Sequence, residues 1–213
     1  MSRPLLLGHR GARAFKSIPE NTLPSFDRAL ADGCDGFEFD LRLTADGQAV
    51  VCHDLKLGRL EIARATVQQL PMLPRLHDVL ERYHKAFLDV ELKVPGLERI
   101  VIEALRSRSR RFVVSSFLPE VLRTLHAADA TIPLGLICET KPQLHGWNLI
   151  PINYVIAHRT LPTKDTIGEM QAAGKKVMVW TVNEAAGMKR FVAWGVDGII
   201  SDNTTLLCRT LSA

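Results

Sequence analysis

The run Gly36-Phe37-Glu38-Phe39-Asp40-Leu41 alternates acidic and apolar side chains with a period of two, which is the period of a strand. Glu38 and Asp40 share one face, and Phe37, Phe39 and Leu41 share the other. An edge strand could turn such an acidic face to water, but the surrounding chain argues otherwise. Short runs rich in Val and Ile recur at residues 5–8, 36–41, 87–92, 112–115, 134–138, 154–157, 176–182 and 198–201. Between them lie amphipathic stretches of helical length, among them 22–31, 97–108, 119–128, 163–173 and 184–194. Gly33, Gly174 and Gly195 follow three of these stretches, and Pro119 and Pro162 stand near the starts of two. Near-continuous apolar strands alternating with helices imply a parallel sheet covered on both faces. Eight such units predict a (β/α)₈ barrel, an α/β fold that needs about 200 residues. A doubly wound open sheet is the alternative, but no G-x-G-x-x-G follows the first strand. Residues 48–51, after the turn Ala45-Asp46-Gly47, are expected to fold back as a small hairpin after strand two.

The 213 residues are 46% hydrophobic and 23% charged, a globular composition that excludes disordered, collagen-like and coiled-coil chains. No composition shift or linker divides them, so one domain is expected over 1–213. No window approaches the roughly 20 apolar residues of a membrane span. Only Leu5, Leu6 and Leu7 precede Gly8, short of the roughly 7–15 apolar residues of a secretory signal, and a cytoplasmic protein is expected. The formal charge of +4 suits an anionic substrate. It argues little for nucleic acid, because the basic residues are scattered; the dense run Arg106-Ser-Arg-Ser-Arg-Arg111 reads as a solvated helix end. Four cysteines, at 34, 52, 138 and 208, have neither C-x-x-C nor zinc-ligand spacing and read as reduced, mostly buried thiols.

In a βα barrel, functional groups lie at the C-terminal ends of the strands. Those ends carry His9, Glu38, Asp40, Glu91, Lys93 and Asn183, with His53 closing the hairpin. Glu38, Asp40 and Glu91 converge inside the mouth, where carboxylates without a cation would be costly. Oxygen ligands without thiolate suit Mg²⁺ or Ca²⁺, with Mn²⁺ as a further candidate. A metal-free ion pair would explain Glu91 and Lys93 alone, but it leaves Glu38 and Asp40 unbalanced. His9 lies between Gly8 and Gly11, open to close approach by a ligand, and Arg10 beside it suits phosphate. Two histidines at one end of neighbouring elements could serve as general acid and base near neutrality. Of the other five, only His158, after strand six, is placed to line the mouth.

These motifs occur in an order that resembles the glycerophosphodiester phosphodiesterase family. His9-Arg10-Gly11, Pro19-Glu20-Asn21-Thr22, Glu38-Phe39-Asp40, Thr44-Ala45-Asp46-Gly47 and Val50-Val51-Cys52-His53-Asp54 carry the first half. Glu91-Leu92-Lys93, Ser116-Phe117, Trp180-Thr181-Val182-Asn183 and Gly195 to Asp202 carry the second. The resemblance implies a (β/α)₈ barrel and metal-dependent hydrolysis of a small glycerophosphodiester to glycerol 3-phosphate and an alcohol. It makes His9 and His53 the acid–base pair and Glu38, Asp40 and Glu91 the ligands of a divalent metal. It places Arg10 and Lys93 at the phosphate, Glu20 in the polar site, and Phe117 and Trp180 against the substrate's carbon skeleton. Asn21 and Thr22 also read as caps of the following helix. The segment 55–86 is shorter than is usual in the family, and Ser201-Asp202-Asn203-Thr204 replaces the usual Thr-Asp-x-Pro. A related barrel phosphodiesterase acting on phospholipid head groups, and a noncatalytic anion binder, are the competing readings. The sequence leaves the head group, the metal and the oligomeric state open.

Overall fold

The computed structural model describes residues 3–106, 109 and 111–211. Eight strands form at the predicted runs: β1 (Leu5–Gly8), β2 (Gly36–Leu43), β3 (Phe87–Leu92), β4 (Phe112–Ser116), β5 (Leu134–Cys138), β6 (Tyr154–His158), β7 (Lys176–Trp180) and β8 (Gly198–Ser201). Each pairs in parallel with the next, and β1 bonds both β2 and β8, so the sheet closes into a barrel. Strand Ala49–Val51 runs antiparallel to the end of β2, with Leu41 opposite Val51 and Leu43 opposite Ala49. It lies outside the closed ring, as the hairpin reading expects. A second ribbon, Lys56–Leu57 against Leu60–Glu61, follows it.

Helices α1 (Leu23–Ala31), α2 (Leu76–Arg82), α3 (Glu98–Leu105), α4 (Pro119–Ala128), α5 (Lys141–His145), α6 (Lys164–Ala172), α7 (Ala185–Ala193) and α8 (Thr204–Leu211) clothe the barrel. Thr22 and Thr163 are N-caps, their hydroxyls accepting from the Ser25 and Thr166 amides. Strand seven ends at Trp180, two residues before the apolar run does, although the Val182 amide still donates to the Ile200 carbonyl of β8 at 3.0 Å. The predicted end of α3 and the basic run fall partly on residues 107, 108 and 110, which lie outside the described residues. Among the described residues no helix is long and apolar enough to cross a membrane.

The period-of-two pattern separates two apolar layers. Phe37, Phe39 and Leu41 join the helix-facing core, where Phe26 of α1 stacks on Phe37 at 4.1 Å. Leu7, Val113, Ile137, Ile156, Met178 and Ile200 pack inside the barrel and floor its mouth. Burying each such side chain contributes about 1.5–3 kcal/mol. All four cysteines are free and buried.

Candidate active site

The acidic face of β2 points inward. Register sets Glu38 beside Asp89 and Asp40 beside Glu91 of β3, so four carboxylates form two stacked rows inside the barrel. One oxygen from each of Glu38, Asp40 and Glu91 lies within 4.8 Å of the other two, and all three residues are buried. Asp89 sits one layer below Glu91, level with Glu38, and accepts from the Ser115 hydroxyl at 2.5 Å.

Crowding and burial set the charges. Burial, then Asp40 and Glu91, push the Glu38 carboxyl well above its usual range. Burial, then Asp40, raise Glu91 to about 8, and burial raises Asp89 to about 7. Asp40 is held low despite its burial, by Lys93, Arg10 and a hydrogen bond from Asn21. The Lys93 ammonium is 2.7 Å from Glu91 Oε1 and 3.4 Å from Asp40 Oδ1, and Arg10 Nε is 3.3 Å from Asp40 Oδ2. Glu38 Oε1 and Asp40 Oδ1 are nonetheless buried without a hydrogen-bond partner among the described residues. Oxygen-only donors, buried and short of positive charge, fit a hard divalent cation.

The turn after β1 shapes the other wall. Arg10 and Asn21 are the non-glycine residues with left-handed backbone, at φ 53° and 58° among the described residues. Both strained conformations are used at the site. The Arg10 amide donates to Glu38 Oε2 at 2.9 Å, and Asn21 Nδ2 donates to Asp40 Oδ2 at 2.7 Å. Gly11 (φ 82°) makes the turn possible, since any Cβ there would run into Ser25. Thr22 therefore does the capping, and Asn21 is an orienting contact to Asp40.

His9 and His53 both line the mouth beside the acids. His9 Nδ1 meets Asp202 Oδ1 at 2.7 Å, and its Nε2 is 3.9 Å from Glu38 Oε2. A carboxylate only accepts, so Nδ1 donates and Nε2 faces the mouth free of a proton in the neutral ring. Asn183, flagged at the seventh strand end, donates to Asp202 Oδ2 at 2.7 Å. His53 Nδ1 makes the same contact with Asp54 at 2.9 Å, and Arg42 fixes the His53 carbonyl from Nε at 2.8 Å. Its side chain is 35% exposed, against 10% for His9.

A cavity of 290 Å³ joins these groups. His9, Arg10, Glu38, His53, Glu91 and Lys93 line one half. Phe117 and Trp180, edge to face at 5.8 Å, wall the other over Ile137, Ile156 and Ile200. Asp40 lies just behind the wall. Glu20 does not line the cavity: its oxygens bind Arg10 at 2.6 Å and Arg13 at 2.5 Å, so it positions Arg10. His158 packs edge-on against Trp180 at 5.3 Å, outside the lining. Asp202, Asp89 and Glu139, the last at the cavity rim, escape the sequence reading. Asp202 and Glu139 directly follow β8 and β5, so the strand-end rule could have found both.

Fold and site together define a (β/α)₈-barrel enzyme with an acid-lined, histidine-flanked mouth. The chain belongs to the Glycerophosphoryl diester phosphodiesterase family, whose model matches residues 9–101 and 80–206. It is 28% identical over 242 residues to a Glycerophosphodiester phosphodiesterase of Caldanaerobacter subterraneus subsp. tengcongensis, covering 96% of each chain. The fold of a glycerophosphodiester phosphodiesterase from Thermotoga maritima superposes with a TM-score of 0.86 at 24% identity, covering 98% of this chain and 99% of that one. An Oleispira antarctica phosphodiesterase, solved in complex with the product sn-glycerol-3-phosphate, superposes at 0.87 and 23% identity, covering 99% and 98%.

Proposed function

We propose that this protein hydrolyses glycerophosphodiesters to sn-glycerol 3-phosphate and an alcohol, using a divalent cation and two histidines. One observation carries the reading: both imidazoles, two fixed cations and the carboxylates of Glu38 and Glu91 line a single cavity, with Asp40 completing the acidic triad just behind its wall. The family relatives named for this activity support it, as does the product complex of the Oleispira antarctica enzyme. Bound by Glu38, Asp40 and Glu91, Mg²⁺ or Ca²⁺ (Mn²⁺ as a further candidate) would supply Lewis-acid stabilisation of charge at phosphorus.

The chain's own groups do the rest. Arg10 and Lys93 add positive charge, held in place by Glu20 and by the acids, for the phosphate oxygens. One histidine takes the proton from the attacking hydroxyl and the other protonates the departing alcohol oxygen. The attacking group is the glycerol 2-hydroxyl: its oxygen bonds to phosphorus as the P–O bond to the alcohol breaks. Water then opens the cyclic phosphate, and the histidines reverse their roles. Phe117 and Trp180 pack the carbon skeleton. The substrate is a small molecule and not a nucleic acid, worked on by one barrel domain.

The test is release of alcohol from glycerophosphocholine, glycerophosphoethanolamine, glycerophosphoglycerol and glycerophosphoinositol by purified protein, with and without added cations. Cation-dependent turnover of at least one is expected. No turnover of any, with Mg²⁺, Ca²⁺ or Mn²⁺ present, would overturn the reading.

A further inference from the structure

Away from the mouth, two thiols meet that the reaction does not use. Cys34 lies in the turn that leads from α1 into the start of β2, and Cys208 lies on α8. Their Sγ atoms are 3.7 Å apart, and the residues are only 8% and 4% exposed. The turn lies directly on the helix: a Cβ placed on Gly33 would stand in van der Waals contact with Cys208, 3.7 Å from Sγ and 3.8 Å from Cβ, and the left-handed backbone of Gly33 (φ 104°) makes the turn. The same two elements are already tied by polar contacts, since the Thr204 and Thr205 hydroxyls donate to Asp32 Oδ2 at 2.6 and 2.9 Å.

The place matters. The barrel closes where β1 pairs with β8, from Leu5 opposite Gly198 to Gly8 opposite Ser201, and α8 follows β8 back over that seam. A bond between positions 34 and 208 would therefore tie the first βα unit to the last helix across the seam. It would lie at the N-terminal end of β2, opposite the end that carries His9, Glu38 and Asp40.

We infer that Cys34 and Cys208 are a disulfide-forming pair that covalently closes the barrel seam when the protein meets a low-molecular-weight disulfide such as oxidised glutathione. The sulfurs must approach from 3.7 Å to the bonded separation of about 2.05 Å. Either thiol can donate across the Sγ–Sγ contact, and the donor favours the thiolate on its partner. With Cys34 donating, Cys208 is the attacking thiolate. It displaces one glutathione thiolate from oxidised glutathione to give a mixed disulfide. Cys34 then loses its proton, attacks the Cys208 sulfur and expels the second glutathione thiolate. The protein thiols lose two electrons and two protons, and one glutathione disulfide becomes two glutathione thiols.

The cross-link spans nearly the whole chain, so it restricts the unfolded state strongly. Native protein is incubated with oxidised glutathione, remaining thiols are alkylated, and peptides are mapped by mass spectrometry without reduction. A Cys34–Cys208 cross-linked peptide is expected, with a melting temperature raised by about 10 °C and reversed by a reductant. Phosphodiesterase turnover should stay within about twofold. Cys34→Ser and Cys208→Ser should each lose both the cross-link and the shift. Both thiols still alkylated, glutathione adducts without a cross-link, or a cross-link without thermal gain would overturn the inference. The mapping on unaltered protein stands even if a variant folds poorly.

Discussion

Asp202 holds His9 from behind: its Oδ1 accepts from His9 Nδ1 at 2.7 Å, while Asn183 and Arg13 hold the carboxylate. Burial would raise Asp202, but the His9 hydrogen bond, with Asn183 and Arg13, keeps it down at about 2, so it is ionised at any working pH. An ionised acceptor fixes the tautomer that turns Nε2 towards the mouth. Asp202→Asn keeps the shape but offers Nδ1 a group that can also donate. Turnover should fall by about 10²-fold or more, with KM changed by only a few fold and the limb of the pH profile belonging to His9 displaced. An unchanged profile with near-normal turnover would reduce the contact to packing.

The histidines themselves should be separable. His9→Asn and His53→Asn each remove a titrating ring while keeping some hydrogen bonding, and each should lower turnover by about 10²-fold or more. A bell-shaped pH profile should flatten on a different limb in each, which assigns base and acid. The His53 ring is partly exposed and bonds to its neighbour Asp54, while Arg42 holds the carbonyl that any residue there would keep, so its replacement should leave the melting temperature within about 2 °C. Two variants with normal turnover would make the pair structural.

Much of this was legible in the chain because strands and carboxylates obey the same period of two. Phe37, Phe39 and Leu41 had to leave the face that Glu38 and Asp40 occupy, and closure into a barrel then forced those acids inward. The rule that selects Glu91 selects Asp89 as well, but periodicity says nothing of depth, and Asp89 lies a layer below, bound to Ser115. The partnership of Asp202 with His9 joins residues 193 positions apart and exists only because β8 closes on β1. Asn21 carries a residue type common at caps, and only its left-handed backbone turns it to Asp40. Glu20 reads as a site residue, yet its charge is taken up by Arg10 and Arg13. Helix α5 has five residues, too few to show a helical period.

Chelation should abolish activity, and Mg²⁺, Ca²⁺ or Mn²⁺ should restore it, because three buried carboxylates share a space too small for their own repulsion. Glu91→Gln removes one charged ligand while leaving Lys93 with Asp40. The cation concentration giving half-maximal turnover should rise by about tenfold or more. Full turnover in chelator would remove the metal from the scheme, and an unchanged requirement in the variant would remove Glu91 from its ligands.

Stability without cations should depend on pH in a direction opposite to that of most carboxylates. Glu91 is raised to about 8 and Asp89 to about 7, and Glu38 is raised as well. Between about pH 4.5 and 8 the folded chain therefore binds protons that the unfolded chain has released, so stability falls as pH rises. Chelated protein should melt at a lower temperature at pH 8 than at pH 5.5. Added Mg²⁺ or Ca²⁺ should raise the melting temperature more at pH 8, where it replaces the lost protons. Asp40 and Asp202, both held low, act with the opposite sign, and their contribution is lost only as pH falls below about 4. A melting temperature that is flat or rising from pH 5.5 to 8 in chelator would show that the acids do not carry these protons.

The glycerol half of the substrate should be read strictly and the alcohol half loosely. Between Leu55 and the start of α2 at Leu76 the chain forms a ribbon of two-residue strands and two single 3-10 turns, too short to build a separate lobe over the departing group. Choline, ethanolamine, glycerol and inositol should all be accepted as leaving alcohols. The glycerol has a chemical reason to be required, because an attack by its own 2-hydroxyl is intramolecular and can gain effective molarities of about 10⁵ M or more. Glycerophosphocholine and its 2-deoxy analogue should then bind alike, while the analogue turns over slower by about 10³-fold or more under saturating cation. A cyclic phosphate should also be trapped at early times with the natural substrate alone. Equal turnover of the two would mean that water attacks phosphorus directly, with one histidine activating that water, and the cyclic intermediate would be dropped.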